Sequence, residues 1–267
     1  MLWDTHMHTH FSFDSEADSL ELIQAAKKAG LAGICFTDHL DLLSLADVPD
    51  DLPLDIPQYF AEMERLKAQF QDQLAIKIGV ELGLQPFLRQ LLPHMVNSYP
   101  FDLVIGSSHM VNGEDPYYPE YFSGKTEDHA YREYFESILE NLAVFDCFDV
   151  YGHLDYIVRY GPNRNQFYTY EKFADVLEEI LRTLIQKGKG IEINTGGFKY
   201  GLGHPNPTEA ILKRYHELGG EILTIGADAH SPEHVAYDFH KVPQILSACG
   251  FQYYTVFESR KPIFYPL

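Results

Sequence analysis

Short apolar runs and longer amphipathic ones alternate along the chain. The apolar runs are LAGICFT (31–37), AIKIGV (75–80), FDLVIGS (101–107), FDVYG (148–152), GIEIN (190–194) and EILTIGA (221–227), and a brief LWD near the start makes seven. Their length and β-branched content predict buried strands. Between them, SLELIQAAKKAG (19–30), IPQYFAEMERLKAQFQDQ (56–73), DHAYREYFESILENLAVF (128–145), YEKFADVLEEILRTLIQKG (170–188) and PTEAILKRYHELGG (207–220) repeat apolar residues at helical spacing. Several of these finish on glycine, a common helix stop. QPFLRQLLPHMVNSY (85–99) is a weaker helical pattern, interrupted by Pro93. Apolar strands alternating with helices predict an α/β fold with a parallel sheet. With 267 residues and no internal repeat or linker, one domain spanning residues 1–267 is expected. A (β/α) barrel is the leading topology, and a doubly wound open sheet is the alternative.

The polar residues that follow each run carry the chemistry. They read DTHMH (4–8), DHLD (38–41), ELG (81–83), SHM (108–110), HLD (153–155), NTGG (194–197) and DAH (228–230), so six of seven runs lead into His, Asp or Glu. In barrels and open α/β sheets alike, the C-terminal edge of the strands holds the active site. His6, His8, His39, His109, His153 and His230 all fall there, whereas His216 and His240 lie in helical or loop patterns. The alternation in DTHMHTH suits a strand, on which alternate side chains share a face. His10 stands one step past the useful pair and reads as an outer or surface residue.

Composition narrows the class. The formal charge is −19, with 39 acidic residues against 20 Lys and Arg. That balance opposes binding to nucleic acid, and no window is apolar enough to span a membrane. Cys35, Cys147 and Cys249 are odd in number, widely spaced and in apolar contexts, which predicts reduced thiols and a cytoplasmic location. No G-x-S-x-G, Walker A, H-E-x-x-H or G-x-G-x-x-G motif occurs. Six imidazoles with Glu81, Asp228 and Asp14 exceed what one zinc-like ion uses, so two or three divalent ions are expected. The mixed donors suit Zn²⁺, Mn²⁺ or Fe²⁺ and exclude an all-oxygen Mg²⁺ or Ca²⁺ site. Such a cluster fits hydrolysis, especially of phosphate esters.

In order, DTHMHTHFSFDS, FTDH, GVELG, GSSHM, YGHLD and GADAH resemble the motifs of the PHP (polymerase and histidinol phosphatase) family. EINTGGFKYGLGHPNP and the ending ESRKPIFYPL resemble its histidinol-phosphate phosphatase branch. The resemblance implies a distorted (β/α)7 barrel, TIM-like, with a metal site at the C-terminal ends of its strands. It implies three ions: one held by His6, His8, Glu81 and Asp228, a second sharing Glu81 with His109 and His153, and a third on His39, His230 and Asp14. Some relatives carry His where this chain has Asp14, a harder ligand that would favour Mn²⁺ or Fe²⁺. The implied reaction is hydrolysis of L-histidinol phosphate, a small phosphorylated amino alcohol of histidine biosynthesis, by attack of a metal-bridging hydroxide. Asp228 or His230 would handle the leaving group's proton, Arg159 would contact phosphate, and Lys199 stands where relatives often carry Arg. Asp38 and Asp155 are expected to orient neighbours or cap turns. A family member acting on nucleotides or another small phosphomonoester, and an inactive metal-binding or regulatory domain, are the alternatives. Oligomeric state is not legible in the sequence.

Overall fold

Each of the seven apolar runs supplies one strand of a parallel sheet that curls into a nearly closed barrel. The computed structural model describes residues 1–42 and 54–267. In chain order the strands are β1 (Trp3–Asp4), β2 (Gly33–Phe36), a short β3 (His39–Leu40), β4 (Ala75–Gly83), β5 (Leu103–Ser107), β6 (Val150–Tyr151), β7 (Gly190–Asn194) and β8 (Leu223–Gly226). They pair in the order β1-β2-β4-β5-β6-β7-β8, with β3 against the end of β4, where His39 faces Glu81. The seam is closed by the residues just past β1 and around β8. Thr5 N donates to Ile225 O at 2.9 Å, Asp228 N to His6 O at 2.9 Å and His8 N to Ala229 O at 2.8 Å, and Met7 bridges Ala229 in parallel. The open-sheet alternative is thereby excluded.

Register explains why the strands read as apolar. Ile76, Ile78, Val80 and Leu82 alternate along β4 and join the large core shared with the helices. The opposite face of β4 carries Lys77, Gly79, Glu81 and Gly83, in register with Cys35, Leu103, Ile105 and Ser107. Cys35, Leu103, Ile105 and Val150 form a separate small cluster with Phe257, which fills the barrel's lower interior. Above it, the inward positions turn polar.

The helices are α1 (Ser19–Lys28), α2 (Ile56–Phe70), α3 (Leu91–Asn97), α4 (Glu127–Val144), α5 (Ala174–Gln186), α6 (Gly196–Lys199), α7 (Glu209–Glu217) and α8 (Val242–Cys249). Asp18 caps α1 by accepting Leu20 N and Glu21 N, and Thr126 caps α4 by accepting His129 N. The 85–99 pattern is interrupted as expected: it splits into a single 3-10 turn over Pro86–Leu88 and α3, in whose first turn Pro93 needs no N–H partner. Two further strands, β9 (Tyr253–Glu258) and β10 (Lys261–Pro266), form an antiparallel hairpin against the N-terminal end of the barrel. Its two-residue turn, Ser259–Arg260, has both φ positive, at 50° and 64°. Arg260 ties the turn down by pairing with Asp149, and Ser259 N donates to Asp102. No helix among the described residues is long and apolar enough to cross a membrane.

Candidate active site

Glu81, fully buried at the end of β4, is the hub of the strand-end residues. Its Oε1 lies 2.8 Å from His153 Nε2 and 3.3 Å from His109 Nε2. Its Oε2 lies 3.1 Å from His6 Nε2, 3.5 Å from His8 Nε2 and 3.1 Å from His39 Nδ1. One carboxylate therefore faces two separate groups of imidazoles. Asp228 Oδ1 closes the first group, 3.4 Å from His8 Nε2 and 3.8 Å from His6 Nε2. A third group lies at the rim, where exposed Asp14 places Oδ2 3.1 Å from His230 Nε2 and 3.6 Å from His39 Nε2.

Behind these atoms stands a ring of hydrogen-bond acceptors. His6 Nδ1 meets Glu192 Oε1 at 2.7 Å, His8 Nδ1 meets Ser12 Oγ at 3.2 Å, and His109 Nδ1 meets Asp41 Oδ1 at 2.8 Å. A carboxylate can only accept, so Glu192 and Asp41 fix the proton on Nδ1 and leave an Nε2 lone pair for the interior. Asp41 Oδ2 also lies 3.2 Å from His39 Nδ1, an ion-pair distance without hydrogen-bond geometry. Glycine makes the room: a Cβ at Gly83 would sit 2.0 Å from Asp41 Oδ1. Asp38 is a loop clamp, accepting Thr9 N, Thr9 Oγ1 and Ser12 Oγ.

Arg159 is almost fully buried, not a solvent-facing charge. Its Nε donates to Asn206 Oδ1 at 2.9 Å, Nη1 to Asp228 Oδ2 at 3.0 Å and Nη2 to Asn194 Oδ1 at 3.0 Å. Asp155 holds Asn206 in turn, accepting its Nδ2 at 2.6 Å. The rings of Tyr200 and Tyr156 flank the guanidinium at 4.7 and 5.3 Å. Lys199 Nζ reaches the same wall and donates to Asp228 O at 2.9 Å. Asp228 holds a positive φ of 55°, so its carboxylate and carbonyl are both pinned in a conformation a non-glycine residue rarely adopts.

Electrostatics follow from the crowding. Burial works to raise the Glu81 and Asp228 carboxyls, but the neighbouring imidazoles, joined at Asp228 by Arg159, hold both well below the usual carboxylate range. Burial likewise opposes the charged form of His39, yet Glu81, Asp14 and Asp41 push its pKa up to about 10. His8 goes the other way: burial and the neighbouring His39 and His230 lower it.

His6 Nε2, His8 Nε2, His39 Nδ1 and Glu81 Oε2 are buried without a hydrogen-bond partner among the described residues. Each such atom costs about 1–3 kcal/mol unless something answers it. The sets His6/His8/Glu81, Glu81/His109/His153 and His8/His39/His230 each bring their donor atoms within 4.8 Å of one another. Buried nitrogen and carboxylate donors converging in this way fit divalent transition ions.

The eight strand-end residues singled out in the sequence, together with Asp14, thus surround one space, with Arg159 and Lys199 on its wall. His10 does not join them; it is half exposed, with its Nε2 4.0 Å from Glu62 Oε2. Sequence reasoning missed Glu192, Asn194 and Asn206 as partners and gave Asp41 no role. The available signal was a charged residue inside an apolar run, the Glu of GIEIN, at a position facing inward.

Residues 4–196 match the model of the PHP domain family. The chain is 34% identical over 262 residues to the histidinol-phosphatase of Lactococcus lactis subsp. lactis (strain IL1403), covering 97% of this chain and 95% of that one. It is 31% identical over 265 residues to a Clostridium acetobutylicum protein named "Probable histidinol-phosphatase", covering 99% and 97%. A crystal structure of the Lactococcus histidinol phosphate phosphatase, complexed with zinc, L-histidinol and phosphate, superposes with a TM-score of 0.90 over 98% of each chain. With the family model matching well over half of the chain and these relatives covering nearly all of it, the protein belongs to the PHP domain family.

Proposed function

We propose that this protein is a metal-dependent phosphatase that hydrolyses L-histidinol phosphate to L-histidinol and phosphate. The observation that carries this reading is the convergence of buried donor atoms on both oxygens of Glu81, with a buried arginine alongside. The full-length likeness to the Lactococcus enzyme, whose structure holds the two products, supports the choice of substrate. Residues 1–267 act as one domain in this reading.

His6, His8, Glu81 and Asp228 would hold one ion, Glu81, His109 and His153 a second, and His39, His230 and Asp14 a third. When bound, divalent ions lower the pKa of coordinated water and neutralise charge on a phosphoryl group; zinc is the first to test. The protein groups supply the rest. Three of the five N–H groups of Arg159 are engaged, which leaves one on each terminal nitrogen for phosphate oxygens. Lys199 adds a second positive charge beside Asp228 and retains two N–H groups for substrate. Asp228, kept ionised by its neighbours, suits holding an ion and orienting the Arg159 guanidinium better than accepting a proton. With the third site unfilled, His230, the most exposed of the six imidazoles at 24%, is placed to return a proton to the leaving alkoxide.

The test is a comparison of kcat/KM for L-histidinol phosphate, a nucleotide panel and a generic aryl phosphate, with zinc supplied. A clear preference for L-histidinol phosphate supports the reading; equal turnover of the aryl phosphate overturns the substrate.

A further inference from the structure

Glu192 lies on β7 with no exposed surface, inside a run that reads as plain apolar strand. It accepts three hydrogen bonds: from His6 Nδ1 at 2.7 Å on Oε1, and from Asn194 Nδ2 and His153 N, each at 3.0 Å, on Oε2. Asn194 Oδ1 in turn accepts from Arg159 Nη2 and from Gly196 N. Arg159 Nη1 donates to Asp228 Oδ2, and Asp228 N donates to His6 O. The path from His6 through Glu192, Asn194, Arg159 and Asp228 therefore returns to His6.

The backbone is shaped to admit this circuit. A Cβ at Gly226 would lie 2.2 Å from Glu192 Oε1 and 2.4 Å from His6 Cβ, and one at Gly196 would lie 2.7 Å from Asn194 Oδ1. Every donor and acceptor in the circuit has a defined direction. The carboxylate only accepts, so His6 must carry its proton on Nδ1; the Asn194 amide then has its NH2 toward Glu192 and its oxygen toward Arg159.

We infer that Glu192 is a positioning residue that sets the His6 imidazole for metal binding and, through Asn194, sets Arg159 for phosphate. The inference rests on the reading of His6 as a metal ligand and Arg159 as a phosphate contact. Glutamine at 192 cannot serve both sides. With its NH2 toward His6, the imidazole proton moves to Nε2 and removes the lone pair aimed at Glu81. With its NH2 the other way, it opposes the His153 N–H and the Asn194 amide donors.

The experiment compares E192Q and N194A with the wild-type protein, reading zinc affinity by chelator competition and phosphate affinity by inhibition of aryl phosphate turnover with inorganic phosphate. E192Q is expected to lose zinc affinity about 10- to 100-fold. N194A keeps the Glu192–His6 bond, so it should bind zinc within about 3-fold of wild type while its inhibition constant for phosphate rises about 10-fold or more. Wild-type zinc affinity in E192Q overturns the inference, as does loss of zinc in N194A to the same extent. Should E192Q fail to fold, N194A decides: unchanged phosphate inhibition there overturns the link to Arg159. Zinc affinity is read without substrate, so a wrong assignment of L-histidinol phosphate would leave the test of Glu192 intact.

Discussion

The body of the barrel and its C-terminal mouth are made by the same strands from opposite kinds of residue. Along β4, Ile76, Ile78 and Val80 face the helices and bury hydrocarbon, whereas Glu81, one residue further on, meets five imidazoles. The body needs volume, and its contacts are non-directional. The mouth needs donors aimed within a few tenths of an ångström, and so it requires acceptors behind each imidazole and glycines to seat them. Stability and chemistry are therefore separable by position on one strand.

The largest expected effect tests that separation at the mouth. H109A or D228A should reduce turnover on the order of 10³-fold or more while far-ultraviolet circular dichroism stays that of the wild type. Wild-type rates in either variant would break the assignment of chemistry to the strand ends. In the body, I78A should destabilise by about 2–5 kcal/mol in denaturant titrations. Its folded fraction should turn over at the wild-type rate; a specific loss of kcat would show that the two regions are not independent.

The outer face of the barrel was the most legible part of the fold, because helices cover it and its strand positions are mostly large and apolar, among them Ile34, Phe36, Ile78, Val80, Tyr151, Ile193 and Ile225. Its inward face was not, since glycine, serine and a buried glutamate there carry no periodic signal. Barrel closure joins Thr5 to Ile225, 220 positions apart, and local pattern cannot show such a bond. The β9–β10 hairpin was also hidden: Pro262 and Pro266 argue against a strand, and Ser259–Arg260 lacks the Asn-Gly chemistry of such turns. For the site, histidines at strand ends stood out because they broke apolar runs at one recurring place. Glu192 and Asp41 did not: one lay within a run, the other in what read as loop. Their meaning comes from partners distant in sequence, Glu192 from His6 across 186 positions and Asp41 from His109 across 68.

A smaller effect concerns protons at the mouth. Burial is outweighed at His39 by Glu81, Asp14 and Asp41, so its proton persists to a pKa of about 10. A metal must displace that proton, and zinc affinity should therefore rise with pH between about pH 6 and 8. Calorimetry in buffers of different ionisation enthalpy should register proton release; pH-independent affinity would contradict the described charge balance. The same raised pKa gives the metal-stripped protein stability that is full below about pH 6.5 and declines as pH rises from there toward about 10. The smallest effect concerns the exposed faces of two helices. Arg132 makes a two-pronged pair with Asp175, which is 71% exposed, so R132A should cost under about 1 kcal/mol and leave turnover unchanged.

The most direct measurement is phosphate release from L-histidinol phosphate by the protein as isolated, after chelation, and after reloading with graded zinc, with ions per chain counted in each sample. Turnover should vanish on chelation and return in proportion to the zinc bound. A rate that survives removal of the ions would contradict the account.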